Sequence, residues 1–235
     1  MSSQLPVVIA LDRMELASAQ GLVLRLEGRV YAIKIHHLWD KHGSAAVRAL
    51  KDAGAARVWV DLKLHDTSDT VADRAKVVAE AGADILTVHA SGEVDMMMAA
   101  VKTGPSCVFA ITALTSLTEE QTHLLHGQPA KAAVLYLARL AKLAGVHGVV
   151  CSPHETNTLF RRTEFAGLTI VNPGIRLSGQ AAGQQARFDT PEFAISQGAG
   201  LLVLGSAITK AEDPLATLDL VEQGIAAGYE GRAGC

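Results

Sequence analysis

Asp61, Lys63 and Asp66 stand within "VWVDLKLHDTSDTV", residues 58–71, where a β-branched run comes to its end. Residues two apart on an extended strand point to the same side. Asp61, Lys63 and His65 are therefore expected on one face, with Leu62 and Leu64 on the other. Two more charges sit at the ends of apolar runs, Asp12 after "VVIAL" and Lys34 within "YAIKIHHLW". If these strand ends converge, two lysines and three carboxylates meet in one place. Burying so many charges is costly unless the signs alternate and the groups bond to one another. The order Lys34, Asp61, Lys63, Asp66 supplies that alternation. An ammonium flanked by carboxylates is held protonated, which makes Lys63 a poor nucleophile and a good general acid. Schiff-base chemistry needs a lysine of depressed pKa, so the pattern favours protonation of a carbanion. The plainer alternative is a structural Asp61–Lys63 ion pair, with Asp66 capping the next helix.

The elements that must position these residues are legible as an alternation. Short apolar runs recur as "VVIALD", "VYAIKI", "VWVDLK", "DILTVH", "CVFAIT", "GVVCS", "LTIVN" and "LLVLG". Between them lie Ala/Leu-rich stretches with helical spacing, such as "SAAVRALKDAG" and "DTVADRAKVVAEAG". The glycines of "DAG", "EAG" and "LAG" fall where a left-handed helix cap is expected. Eight such units in about 210 residues, with continuously apolar strands, predict an α/β fold of the (β/α)8 barrel type, one domain over residues 1–235. A doubly wound sheet would want a Gly-rich dinucleotide loop after the first strand, where "LDRMELAS" stands instead. Charged side chains at the C-terminal ends of barrel strands usually carry chemistry. The stretch "GIRLSGQAAGQQARFDTPE", residues 174–192, is a long loop on that same catalytic face.

Composition narrows the function classes. A formal charge of −3 without Lys/Arg clusters argues against a nucleic-acid surface and for a small-molecule partner. Three widely spaced cysteines, Cys107, Cys151 and Cys235, form neither a disulfide framework nor a zinc site and suggest a reducing compartment. No stretch approaches the roughly 18 apolar residues of a membrane span, and the N-terminus lacks a basic signal region. A soluble, cytoplasmic protein is the expectation.

The signature "VDLKLHDTSDTV" resembles the D-x-K-x-x-D motif of the orotidine 5′-monophosphate decarboxylase family. The resemblance runs along almost the whole chain through "IALD", "IKIHH", "TVHASGEVDMM", "ITALTS", "GVVCSPHE", "NPGIR", "GQQAR" and "AITKAEDP". It implies a catalytic charge array of Lys34, Asp61, Lys63 and Asp66, with Lys63 delivering a proton to C6 of the pyrimidine. It further implies a homodimer in which Asp66 and Thr70 reach the neighbouring subunit's site. Asp12, Lys34 and Thr70 would hold ribose hydroxyls, Ser116 the pyrimidine edge and Gln185 the phosphate. The family uses neither metal nor organic cofactor, so none is expected, and the substrate would be orotidine 5′-monophosphate.

Two positions depart from the family pattern. Where the family reads Gly-Arg after the eighth strand, with the arginine forking the phosphate, this chain reads Gly205-Ser206. The Gly205 neighbourhood keeps backbone N–H groups for an anion, and Arg176 or Arg187 is a candidate substitute cation. The D-I-P pattern has become Asp66-Thr67-Ser68. Either this is a decarboxylase with a weakened phosphate grip, the preferred reading, or a paralogue with altered phosphate or ring specificity. Magnesium-dependent sugar-phosphate enzymes share D-x-K-x-x-D, but they want further carboxylates at neighbouring strand ends, and "TVHAS" offers none. A barrel that only binds a nucleotide is the non-enzymatic alternative, opposed by the intact tetrad. One of His36 and His37 is a candidate neighbour of the site, although a satisfied structural role is preferred for each; His65 is expected to be peripheral, while His89 is a candidate for lining the cavity. The "MMM" of residues 96–98 should pack a helix, and Glu119 and Glu120 should form a solvated first turn.

Overall fold

The computed structural model describes residues 4–177 and 189–233. Eight parallel strands close into a barrel in sequence order: β1 (Leu5–Ala10), β2 (Val30–Ile35), β3 (Val58–Leu64), β4 (Ile85–His89), β5 (Cys107–Ile111), β6 (Gly148–Val150), β7 (Thr169–Asn172) and β8 (Leu201–Leu204). Each apolar run of the sequence supplies one strand. Helices connect successive strands, and their apolar faces cover the outside of the barrel. Among the described residues, no helix is long and apolar enough to cross a membrane.

Two apolar layers follow from the two-residue side-chain period. Val7, Ile9, Ile33, Ile35, Val58, Val60, Leu86 and Val88 face outward into the helical shell. Val8, Ala10, Ala32, Trp59, Ile85, Phe109, Val150, Val171, Leu201 and Val203 fill the barrel's interior. There Trp59 and Phe109 meet edge to face, with ring centroids 5.2 Å apart, and Gly148, where a Cβ would lie 3.0 Å from the Phe109 ring, leaves room for that ring. Alternating large and small residues in this way closes the barrel as a packed core. Met96 and Met97 are buried in the helix Glu93–Thr103, where they pack the outer shell as expected.

Gly54, Gly82 and Gly145 follow their helices with φ of 99°, 81° and 75°, the left-handed cap that "DAG", "EAG" and "LAG" predict. Glu119 and Glu120 open the helix Glu119–His126 and are exposed, although Glu119 also accepts the Ala130 N–H at 2.8 Å. The two ends of the long loop are pinned together. Ile175 bridges Asp189, and the Arg176 N–H donates to the Asp189 carbonyl at 3.0 Å. Gln185 and Arg187 lie outside the described residues.

Candidate active site

The inward positions of the first four strands turn from apolar to polar at the barrel's C-terminal end. Ala10 is followed two residues on by Asp12, Ala32 by Lys34, Trp59 by Asp61 and Ile85 by Thr87. Parallel register sets these ends side by side, with Ala10 opposite Lys34 and Lys34 opposite Trp59. Lys34 and Asp61 are buried, and Lys34 Nζ donates to Asp61 Oδ2 at 2.9 Å. Lys63 Nζ donates to the same oxygen at 2.7 Å, and Thr87 Oγ1 donates to Asp61 Oδ1 at 2.6 Å. Asp12 Oδ1 lies 3.9 Å from Lys34 Nζ, an ion-pair distance without a hydrogen bond.

The strand is irregular where it carries Lys63. Between Val60, opposite Leu86, and Leu64, opposite Val88, three residues of β3 face the single residue Thr87. This bulge carries Lys63 into the left-handed region at φ 48°. The expected meeting of Asp61 and Lys63 holds at the ammonium even though the backbone alternation breaks at Lys63, while His65 is exposed beside His89. Thr87 repairs the broken ladder. Its hydroxyl accepts the Lys63 N–H at 3.2 Å while donating to Asp61. One side chain therefore fixes both the bulge and the carboxylate within it.

The charges reinforce one another. Burial alone would raise the Asp61 pKa, but Lys34 and Lys63 more than reverse that and hold it far below the usual carboxylate range. Burial would likewise lower Lys34, and the charges of Asp61 and Asp12 outweigh it, so the Lys34 pKa is raised. His89, at the end of β4, is pushed down by burial and by the neighbouring His65 and Lys63. Its ring centroid lies 5.7 Å from that of His65.

Asp12, Lys34, Asp61 and Lys63 thus come together, whereas Asp66 stands apart. Asp66 is exposed, its Oδ1 accepts the Thr67 N–H at 2.7 Å, and no described residue forms an ion pair with it. The alternating row therefore ends at Lys63 within one chain. Asp66 is not the N-cap of the helix Ser68–Glu80, a position that Thr67 occupies. Thr67 Oγ1 donates instead to Thr70 Oγ1 at 3.0 Å, in the first turn of that helix. Ser116 lies exposed in the turn after β5. Arg176 sits at the base of the long loop, where it is half-buried. Gly205 follows β8 beside Ala10, and Ser206 opens the short helix Ser206–Thr209 as an exposed residue.

One site residue, Thr87, escaped the sequence reading, and so did the partner of another, His36. Thr87 looks like an ordinary strand former in "DILTVH", and its only signal is a hydroxyl at an inward position of an apolar strand. His36 bonds Asp12, with Nε2 2.6 Å from Oδ1, a contact between the ends of two strands that no local pattern announces.

A sequence profile of the Orotidine 5′-phosphate decarboxylase / HUMPS family matches residues 5–221. The orotidine 5′-phosphate decarboxylase of Thermobifida fusca is 40% identical over 212 residues, covering 89% of this chain and 91% of the relative. That of Laribacter hongkongensis is 41% identical over 231 residues, covering 94% of this chain and 93% of the relative. The crystal structure of orotidine 5′-phosphate decarboxylase from Lactobacillus acidophilus superposes with a TM-score of 0.77 at 29% identity, over 93% of this chain and 98% of that one. With its closed eight-stranded barrel and its charge row at the C-terminal strand ends, the chain belongs to the Orotidine 5′-phosphate decarboxylase / HUMPS family.

Proposed function

We propose that this chain is a carboxy-lyase that converts orotidine 5′-monophosphate to uridine 5′-monophosphate in pyrimidine biosynthesis, without metal or organic cofactor. The observation that carries the reading is the row Lys34–Asp61–Lys63, its first two members buried, in which one carboxylate oxygen holds two ammonium groups at the mouth of the barrel. The C6–carboxylate bond breaks, carbon dioxide leaves, and the electron pair stays on C6 as a vinyl carbanion with no carbonyl placed to delocalise it. The barrier is correspondingly high. A preorganised cation at that point stabilises the developing charge, and Lys63 then gives its proton to C6 and is reprotonated from solvent. Asp61 orients the Lys63 ammonium, and Lys34 completes the row. Phosphate binding far from C6 contributes remote binding energy to the same step.

In this reading Asp12, Lys34 and Thr70 hold the ribose hydroxyls, and Ser116 meets the pyrimidine edge. Gln185, Arg176 and the Gly205–Ser206 backbone serve the phosphate. The separation of Asp66 from the row supports a homodimer in which Asp66 and Thr70 complete the neighbouring subunit's site. Against a magnesium-dependent reaction stands the chemistry of Asp61. Its oxygens already bond Thr87, Lys34 and Lys63, so a divalent cation would have to displace two ammonium groups.

The test is the loss of orotidine 5′-monophosphate absorbance with purified protein in the presence of chelator, beside orotidine lacking the phosphate. Conversion of the phosphorylated substrate alone is expected. A folded dimer that converts neither compound would overturn the reading, and Ser206 and Thr67 would then mark a different substrate.

A further inference from the structure

We propose that His36 is a positioning residue for Asp12, holding one carboxylate oxygen so that the other is presented to a sugar hydroxyl of the substrate. The proposal deepens the reading above and rests on it for the ribose. His36 stands one residue beyond β2 and precedes the helix His37–His42 as its N-cap. Its Nδ1 accepts the His37 backbone N–H at 2.8 Å. A ring nitrogen that accepts an N–H carries no proton, so the imidazole is the neutral tautomer with its hydrogen on Nε2. That hydrogen is donated to Asp12 Oδ1, with Nε2 and Oδ1 2.6 Å apart. Both nitrogens are thereby committed. His36 has no free lone pair to take a proton from a substrate, and its role is to orient rather than to act as a base.

The orientation matters because Asp12 has another suitor. Lys34 Nζ lies 3.9 Å from the same Oδ1, so a small swing of the carboxylate would bring it into direct contact with the ammonium. Such a contact would take up the Asp12 oxygen that a substrate hydroxyl would otherwise meet, while Lys34 stays bonded to Asp61 at 2.9 Å. The His36 bond holds Asp12 back. It leaves Asp12 Oδ2 without a hydrogen-bond partner among the described residues, on a side chain 46% exposed at the open end of the barrel. An ionised oxygen held in this way is an acceptor for a hydroxyl. The hydrogen bond from His36 is also the leading cause of the lowered Asp12 pKa, ahead of the charge on Lys34.

The proposal is tested with His36→Ala and His36→Gln, the glutamine amide keeping an N–H donor. Steady-state kinetics on orotidine 5′-monophosphate are read together with a carbon-13 NMR titration of the Asp12 carboxyl. In His36→Ala, KM should rise about tenfold with kcat changed by less than about threefold. The Asp12 carboxyl should titrate at higher pH, and His36→Gln should recover most of both effects. An unchanged KM in His36→Ala, or a glutamine variant as impaired as the alanine one, overturns positioning. If the wild-type chain is inert toward this substrate, the decarboxylase reading and the ribose role fall together. The titration still decides the His36–Asp12 contact separately, and an unmoved Asp12 carboxyl in His36→Ala would sink it.

Discussion

Lys63 and Asp61 are two residues apart in sequence, and Nζ of the one lies 2.7 Å from Oδ2 of the other. The bulge of β3 includes both residues, and Lys63 makes the contact from a left-handed backbone at φ 48°. The same oxygen receives Lys34, so the position of the Lys63 ammonium depends on a carboxylate that is itself held by Lys34 and Thr87.

Lys63→Ala removes the proposed proton donor while leaving Asp61 paired with Lys34. Turnover of orotidine 5′-monophosphate should fall by about 10³-fold or more with the fold retained. Circular dichroism beside the absorbance assay separates loss of chemistry from loss of structure. Near-normal turnover would dismiss Lys63 as the donor.

Asp61→Asn leaves the buried Lys34 ammonium without its counter-charge, at a cost of about 3 kcal/mol in urea unfolding. The pH dependence has a definite sign. Asp61 is depressed in the folded state, so its stabilisation is fully present above the unfolded carboxylate value of about 3.9 and is lost as pH falls through the folded value. The stability gap between wild type and Asp61→Asn should therefore narrow on acidification below about pH 4. Lys34 is raised, so its contribution is complete below about pH 10.4 and is lost as pH climbs through the folded value. A gap that does not depend on pH would contradict both assignments.

Thr87→Val keeps the shape and removes the hydroxyl that bonds Asp61 and accepts the Lys63 N–H. Stability should drop by about 1–3 kcal/mol and kcat by about tenfold, with Thr87→Ser close to wild type. Equal kcat in the valine variant would show that the bulge holds itself.

Ser206→Arg places a guanidinium at the opening of the helix after β8. If the phosphate grip is weak for want of an arginine, KM for orotidine 5′-monophosphate should fall about tenfold. Unchanged kcat and KM would remove Ser206 from the account of phosphate binding.

Mixing Lys63→Ala subunits with Asp66→Ala subunits tests the shared site. In a mixed dimer one site holds both intact residues and the other holds neither. After random exchange about a quarter of wild-type activity should return from two inactive parents. Continued inactivity of dimers shown to have exchanged would place Asp66 outside the partner's site.

Much of the barrel was legible because burial dictates pattern. A strand covered on both sides must be apolar throughout, as "LLVLG" is, and a helix that turns sharply into the next strand ends on glycine, as at Gly82. The charges at the strand ends were legible for the converse reason, since Lys34 and Asp61 are conspicuous in apolar runs. What stayed hidden depends on contacts between distant residues. No glycine marks the bulge at Lys63, and the Thr87 hydroxyl that accepts its N–H lies 24 residues away. The His36–Asp12 bond likewise joins two strand ends, and parity along one strand says nothing about it. Within one chain Asp66 stands apart from the row and accepts the Thr67 N–H, a separation that its place in the alternating sequence does not announce.

The left-handed backbone of Lys63 sets function against durability. A side chain at φ 48° is tolerated at a cost of roughly 1–3 kcal/mol, which glycine would relieve at once. Among the described residues Lys63 is the one non-glycine strand residue with a positive φ, so the chain keeps its lysine where glycine would relax the backbone. A selection for heat resistance alone should erase that lysine early, trading the ammonium for a relaxed turn.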